Sequence, residues 1–250
     1  MYFNNIYYEK HGTNKKKILI LPGWGNTRYT FNLMINQLKK DYTVYIIDYP
    51  GFGNSIFPDR DLNIYDYANM VKDFMKYEKI NNPIIIAHSF GGRISSILIG
   101  KYKLKVEKLI LIDVAGIKRR KSMFKIIKQY TYKLLKKISI FISKRKRNIY
   151  LKKLIKVFGS NDYKNLNSNM YNTFKNIINE DLKKYIKNIN TNTLIIWGKK
   201  DKDTKLKEGK IYNELIDNSK LIIIPNASHF PYLNYPNMIN DIIYKYIKND

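Results

Sequence analysis

The sequence predicts an α/β fold in which a mostly parallel sheet is flanked by helices and interrupted once by a helical cap. Short β-branched runs alternate with amphipathic segments along most of the chain, as expected when helices cover a parallel sheet. Runs such as residues 18–21 and 84–86 are apolar at every position, which is typical of strands buried on both faces. The alternation stops after Asp113 and resumes near Thr193, with helical spacing over the residues between them. We therefore assign residues 1–115 and 191–250 to the core and residues 116–190 to the inserted cap.

Seven strands and five core helices follow from these patterns. The strand segments are short and rich in β-branched and aromatic residues. They cover residues 3–8, 17–21, 43–48, 83–87, 106–113, 193–197 and 220–224. The helical segments have apolar residues three or four positions apart. They cover residues 29–40, 64–77, 91–102, 206–216 and 236–247.

Composition excludes several classes of protein. The 250 residues are 44% hydrophobic, which is enough for one sizeable core, but no apolar run approaches the ~18 residues that span a membrane. Cysteine is absent, which excludes disulfides, thiolate metal sites and cysteine nucleophiles. Three histidines are too few for a histidine-rich metal site. The chain starts without a secretory pattern, so we expect a cytoplasmic protein with no metal and no cofactor.

The chain is strongly basic, with 46 Lys and Arg against 20 Asp and Glu and a net charge of +26. Such a charge attracts polyanions, but only seven of the basic residues are arginine, the residue that nucleic-acid readers favour. We therefore expect no nucleic-acid partner. Residues 118–156 hold 16 basic residues and no acid.

Part of this basic segment has the pattern of an amphipathic helix. Its apolar stripe is formed by Met123, Ile127, Tyr130, Leu134, Ile138 and Phe141, and the opposite face by Lys121, Lys125, Lys128 and Lys136. Three interpretations stay open. The helix packs over the functional site, it docks on an anionic membrane, or its lysines attract a soluble anionic substrate or polymer.

Ser89 lies where an apolar strand runs into a helical pattern. The sequence there is Ala87-His-Ser-Phe-Gly-Gly, the strand–turn–helix context of a nucleophile elbow. In such a turn a strained backbone exposes the serine hydroxyl, and Gly91 and Gly92 allow helix and strand to pack closely. Ala87 replaces the first glycine of the G-x-S-x-G pattern. The structural alternative is a helix cap at Ser89.

Asp201 and His229 follow two later strands, so the chain order Ser89, Asp201, His229 matches that of an elbow-type triad. The 28 positions from Asp201 to His229 fit one helix and one strand, which brings both loops to the carboxyl edge of the sheet. An imidazole can take the proton of a serine, and a carboxylate can fix its tautomer. Asp113 and Asp203 compete with Asp201 as the acid.

Residues near these positions suggest how a substrate is held. The Gly-rich loop at Trp24 would offer one backbone N–H to a developing oxyanion, and Phe90 would offer a second. The alternative for the loop is an ordinary β-turn. Trp24, Phe90 and Phe230 predict an apolar substrate pocket beside the serine. His88 adjoins Ser89, and its side chain is expected to point away from the pocket.

The combined motifs resemble the α/β-hydrolase superfamily over nearly the whole chain. They are Pro22-Gly-Trp-Gly, Asp48-Tyr-Pro-Gly-Phe-Gly-Asn-Ser, His88-Ser-Phe-Gly-Gly, Trp197-Gly-Lys-Lys-Asp and Ser228-His-Phe-Pro. The resemblance implies an eight-stranded, mostly parallel sheet with a cap after the sixth strand. It also implies Ser89 as nucleophile, Asp201 as acid and His229 as base. Ala87 departs from the usual glycine, and Thr204 stands near a position where proline often follows the acid.

The resemblance implies a serine hydrolase that cleaves a carboxylic ester or related acyl bond in a small-molecule substrate. A second hypothesis is a triad-dependent lyase or carbon–carbon hydrolase, because lyases of menaquinone biosynthesis have an elbow similar to Ser89-Phe-Gly-Gly-Arg93. A third is a non-catalytic module that binds membranes or anions. The sequence leaves the oligomeric state open.

Overall fold

The computed structural model describes residues 1–118, 131, 132, 135, 146, 150 and 170–249. In these residues a single sheet has the strand order β1-β2-β4-β3-β5-β6-β7-β8. The strands are β1 (Tyr2–Phe3), β2 (Ile6–His11), β3 (Lys17–Leu21), β4 (Thr43–Asp48), β5 (Ile84–His88), β6 (Lys108–Ile112), β7 (Thr193–Gly198) and β8 (Ser219–Ile224). Strands β3 to β8 are mutually parallel, whereas β1 and β2 are antiparallel to their neighbours. The expectation of an eight-stranded, mostly parallel sheet is confirmed.

The sheet separates two apolar layers because alternate residues of each strand face opposite sides. In β5, Ile85 and Ala87 face one layer, and Ile84 and Ile86 face the other. All four are fully buried. At roughly 1.5–3 kcal/mol for each buried aliphatic side chain, such central strands form a rigid platform for the loops at their carboxyl ends.

Helices cover both faces of the sheet. The described helices are α1 (Asn32–Leu38), α2 (Ile64–Tyr77), α3 (Phe90–Ser95), α4 (Tyr171–Asn179), α5 (Lys183–Ile186), α6 (Leu206–Leu215), α7 (Pro231–Asn234) and α8 (Pro236–Lys248). Helix α2 begins with a capping box in which Asn63 and Asp66 satisfy each other's backbone amides. No helix among the described residues is long and apolar enough to cross a membrane.

The structure differs from the predicted elements at several ends. The strand expected at residues 3–8 is a hairpin, because Asn4 adopts a left-handed conformation (φ 48°) and the chain reverses to pair Tyr2 with Tyr7. The helix expected at residues 29–40 starts as a 3₁₀ turn, Arg28–Phe31. The helix expected at residues 91–102 continues beyond α3 with π-helical winding in Ser96–Lys101.

The insertion between β6 and β7 is described only in part. Its described residues contain α4 and α5 and no strand. It contacts the core where the Leu62 amide donates to the Thr173 hydroxyl and where Gly100 lies against the backbone of Tyr185. The amphipathic stripe predicted from Met123 to Phe141 lies outside the described residues.

Candidate active site

Ser89 occupies the sharp turn between β5 and α3. Its backbone is in the left-handed region, with φ 46° and ψ −107°, which is strained for a non-glycine residue. The turn is fixed because the Ser89 amide donates to the carbonyl of Ile112, and its carbonyl accepts from the amide of Ala115. A Cβ on Gly91 would lie 2.0 Å from the backbone oxygen of Leu21, so α3 packs against β3 more closely than an alanine allows.

The surroundings of Ala87 explain why it can replace the first glycine of the elbow pattern. Its side chain is fully buried in the apolar layer beneath α3, in register with Leu21 of β3 and Leu111 of β6. A methyl group at this position therefore packs in the core and does not enter the turn at Ser89.

Ser89, His229 and Asp201 form a continuous hydrogen-bonded chain. His229 Nε2 lies 3.0 Å from Ser89 Oγ, and His229 Nδ1 lies 2.8 Å from Asp201 Oδ2. Because a carboxylate can only accept, Nδ1 carries the proton and Nε2 is free to accept the serine proton. The three side chains, distant in sequence, thus meet at the carboxyl edge of the sheet.

Asp201 is held as an anion by its surroundings. Its Oδ1 accepts from the amides of Asp203 and Thr204, at 2.7 and 3.0 Å, and its Oδ2 accepts from the Thr204 hydroxyl at 2.6 Å. Burial disfavours the charged form, but the hydrogen bonds from His229 and Thr204 outweigh it and lower the pKa of Asp201. Thr204, noted in the sequence as a departure from proline, therefore donates hydrogen bonds to the Asp201 carboxylate.

Asp203 and Asp113, the two alternatives to Asp201 as the acid, have different roles in the structure. Asp203 contributes its backbone amide to Asp201. Asp113 is fully buried, with Oδ1 accepting from the amide of Gly198 and Oδ2 without a hydrogen-bond partner among the described residues. Burial and the neighbouring Asp201 carboxylate raise the pKa of Asp113 to about 9. Asp113 is thus a neutral carboxyl group behind Asp201.

Asp113, Asp201 and His229 each offer a ligand atom within 4.8 Å of the others. Both oxygens of Asp201 and one of Asp113 already accept hydrogen bonds. The N–H and O–H groups that donate to these oxygens point toward the place that a metal ion would occupy, so they oppose a cation and favour carboxylates that share a proton. These three side chains therefore suit the binding of a proton better than that of a metal cation.

Asp113 implies a pH dependence of stability. The folded state keeps a proton that the unfolded chain loses above a pKa near 3.8, so stability falls as the pH rises from about 4 toward 9. Asn at position 113 retains an acceptor for Gly198 and offers an N–H to Asp201. We expect Asp113→Asn to be more stable than the wild type at about pH 8 and equal to it near pH 4, as measured by urea unfolding midpoints. The exposed Asp217→Asn serves as control, and an equal difference at both pH values would contradict the assignment.

His88 lies behind the triad and was not assigned a role from the sequence. It is fully buried, and its Nε2–H donates to the backbone carbonyl of His229 at 2.8 Å. Its Nδ1 faces two donors, the Asn26 amide at 3.3 Å and the Tyr232 hydroxyl at 3.4 Å. Burial and the nearby His229 lower the pKa of His88 to about 3. A neutral His88 thus joins the loops of Asn26 and His229, and, as expected, it is not part of the cavity wall.

A cavity of about 500 Å³ opens in front of Ser89 and His229. The predicted substrate-binding residues Trp24, Phe90 and Phe230 all line it. Phe174 of α4 adds to the wall, with its ring 5.3 Å from that of Trp24. The sequence pattern gave no signal for Phe174, because its contact with Trp24 joins the insertion to a loop of the core.

The backbone amides of Trp24 and Phe90 have no acceptor among the described residues. Phe90 begins α3, where the first amides of a helix lack partners within the helix. Trp24 belongs to a loop turned by the hydrogen bond from the Asn26 amide to the Gly23 carbonyl. Both amides thus lack a protein acceptor among the described residues, and both residues line the cavity.

The fold agrees with what is found in known proteins. A family model described as "alpha/beta hydrolase fold" matches residues 16–236. The chain therefore belongs to the alpha/beta hydrolase fold family.

Three similar proteins illustrate the relationship. The pimeloyl-[acyl-carrier protein] methyl ester esterase of Wigglesworthia glossinidia brevipalpis is 27% identical, over 95% of this chain and 95% of that protein. Lipase 3 of Moraxella sp. is 23% identical, over 90% of this chain and 75% of that protein. The solved structure of an esterase from Exiguobacterium antarcticum superposes with a TM-score of 0.75 at 22% identity, covering 98% of this chain and 96% of the other. The relatives support hydrolase activity of the esterase and lipase kind.

Proposed function

We propose that the protein is a serine hydrolase that cleaves carboxylic esters or related acyl bonds through an acyl-enzyme. The hydrogen-bonded chain from Ser89 through His229 to Asp201 carries this proposal. A serine hydroxyl is a weak nucleophile until a base accepts its proton. His229 is placed to do so, with its other nitrogen occupied by an anionic carboxylate.

In the first half of the reaction, Ser89 Oγ attacks the ester carbonyl while its proton passes to His229 Nε2. Asp201 stabilises the imidazolium that forms. The developing oxyanion accepts from the amides of Trp24 and Phe90, which are free to donate before the substrate arrives. His229 then returns the proton to the leaving alcohol, and the acyl group remains on Ser89.

In the second half, water loses a proton to His229 and attacks the acyl group. His229 then returns the proton to Ser89 Oγ as the acyl–oxygen bond breaks, which releases the acid. The aromatic wall of Trp24, Phe90 and Phe230 suits an apolar acyl or alcohol group. We propose that residues 116–190 act as a cap over this site, because Phe174 and Ile177 of the insertion line the cavity.

Covalent labelling tests the proposal. We expect a fluorophosphonate to form one adduct, mapped to Ser89 by peptide mass spectrometry, and p-nitrophenyl acetate to give a burst of one nitrophenol per labelled site. The Ser219→Ala variant, changed at the opposite end of the sheet, should label like the wild type. An adduct at another residue, or ester turnover without labelling of Ser89, would contradict the mechanism. Absence of both adduct and burst would favour the lyase alternative.

A further inference from the structure

Arg93 is a buried cation in the wall of the reactive cavity. It lies in the first turns of α3, four residues after Ser89, which precedes the helix. Only 6% of its surface is exposed, and the side chain lines the cavity that contains Ser89 and His229. A charge at this depth is costly unless a charge of opposite sign compensates it.

The protein compensates that charge only in part, because burial lowers the pKa of Arg93 and outweighs the attraction of carboxylates such as Glu208 and Asp181. Its Nη1 donates to the backbone carbonyls of Ile177 and Glu180, both at 3.0 Å, and so fastens the end of α4 to α3. Within the described part of the chain, the guanidinium forms no ion pair with a carboxylate, and Nη2 and Nε have no hydrogen-bond acceptor. The carbonyl end of a helix favours a nearby cation, so these two bonds account for part of the charge and leave Nη2 and Nε to a ligand.

The carboxylates of the cavity wall form no ion pair with Arg93 among the described residues, although Glu208 attracts it at longer range. Glu208 accepts from the backbone amide of Lys205, and Glu208 and Asp203 each have a further interaction. Lys118 adds a second positive charge to the wall. A ligand anion at Arg93 would therefore meet a buried cation that, among the described residues, has no carboxylate within ion-pair distance.

We propose that the cavity takes esters that carry a free carboxylate, such as half-esters of linear dicarboxylic acids, with the carboxylate on Arg93 and the ester carbonyl at Ser89. The planar guanidinium matches a carboxylate in charge and geometry, and charge-assisted bonds of this kind are the stronger ones. This inference rests on the proposed esterase function and specifies its substrate class.

Matched ester pairs test the proposal. The substrates are monomethyl succinate, adipate and suberate, each compared with the methyl ester of the monocarboxylic acid of equal carbon number. We expect the wild type to prefer at least one half-ester by about tenfold or more in kcat/KM. Arg93→Gln should remove most of this preference through KM, so that kcat/KM falls about tenfold more for the half-ester than for the neutral ester. Arg93→Lys, which keeps the charge, should retain part of the preference.

The outcomes separate the two proposals. Neutral esters hydrolysed through Ser89 without preference for any half-ester would overturn the carboxylate subsite and leave the esterase function intact. Equal losses on both substrates in Arg93→Gln would show that Arg93 only fastens α4. If Arg93→Gln does not fold, inhibition of the wild type decides, because free adipate should inhibit neutral-ester hydrolysis more strongly than hexanoate does. Absence of any Ser89-dependent ester turnover would instead contradict the proposed function itself.

Discussion

Replacing Ser89 with alanine is expected to lower kcat for ester hydrolysis by about 10⁶-fold, the effect of removing the nucleophile from a serine triad. KM should change little, because the hydroxyl contributes little to binding before the reaction. The remaining rate over water would come from the Trp24 and Phe90 amides and from the aromatic wall. The measurement is single-turnover hydrolysis of a p-nitrophenyl ester.

Two controls give this result its meaning. The Ser89→Ala variant must unfold at a urea concentration close to that of the wild type, since the strained turn is held by backbone bonds that alanine keeps. Ser219→Ala should retain wild-type kcat. A Ser89→Ala variant that hydrolyses esters within tenfold of the wild-type rate would remove the serine from the mechanism.

The second large effect is expected for Asp201→Asn, with a loss of about 10⁴-fold in kcat. An amide N–H turned toward His229 Nδ1 would make that nitrogen an acceptor and move the proton to Nε2. The imidazole could then no longer accept from Ser89. The variant should still fold, because Asn is close to Asp in shape and one of its atoms can still accept from the Thr204 amide.

Asp113→Asn is the matched comparison, since the two carboxyl groups lie side by side. Asp113 is already protonated at neutral pH, so an amide changes its charge little, and kcat should stay within about fivefold of the wild type. Comparable losses in both variants would mean that the two aspartates act together as the acid. A larger loss for Asp113→Asn would reverse their roles.

The sequence could predict the central sheet because parallel strands buried on both faces are recognisable one at a time. The position of Ser89, Asp201 and His229 at strand ends then followed from the geometry of such a sheet. The edge hairpin was missed because the reversal depends on a left-handed Asn4, and short edge strands have no apolar periodicity. Apolar runs in the sequence are thus sufficient to predict the central strands, whose neighbours fix their place in the sheet.

Contacts between segments that are distant in the chain could not be predicted from the sequence. The bond from His88 to the His229 carbonyl spans 141 positions, and the contact of Arg93 with the Ile177 carbonyl spans 84. No local sequence pattern distinguishes a buried histidine that hydrogen-bonds to a functional loop from one that only packs in the core. Asp113 was recognised as a candidate acid, but its separation from His229 by Asp201 depends on how three loops pack together.

The bond between His88 and the backbone of His229 has a consequence for acid conditions. A ring that takes up a proton only near pH 3 keeps the same charge throughout the range in which most enzymes are assayed. The support beneath the catalytic loop therefore persists while the medium is mildly acidified. A decline in turnover over that interval would therefore not come from protonation of His88.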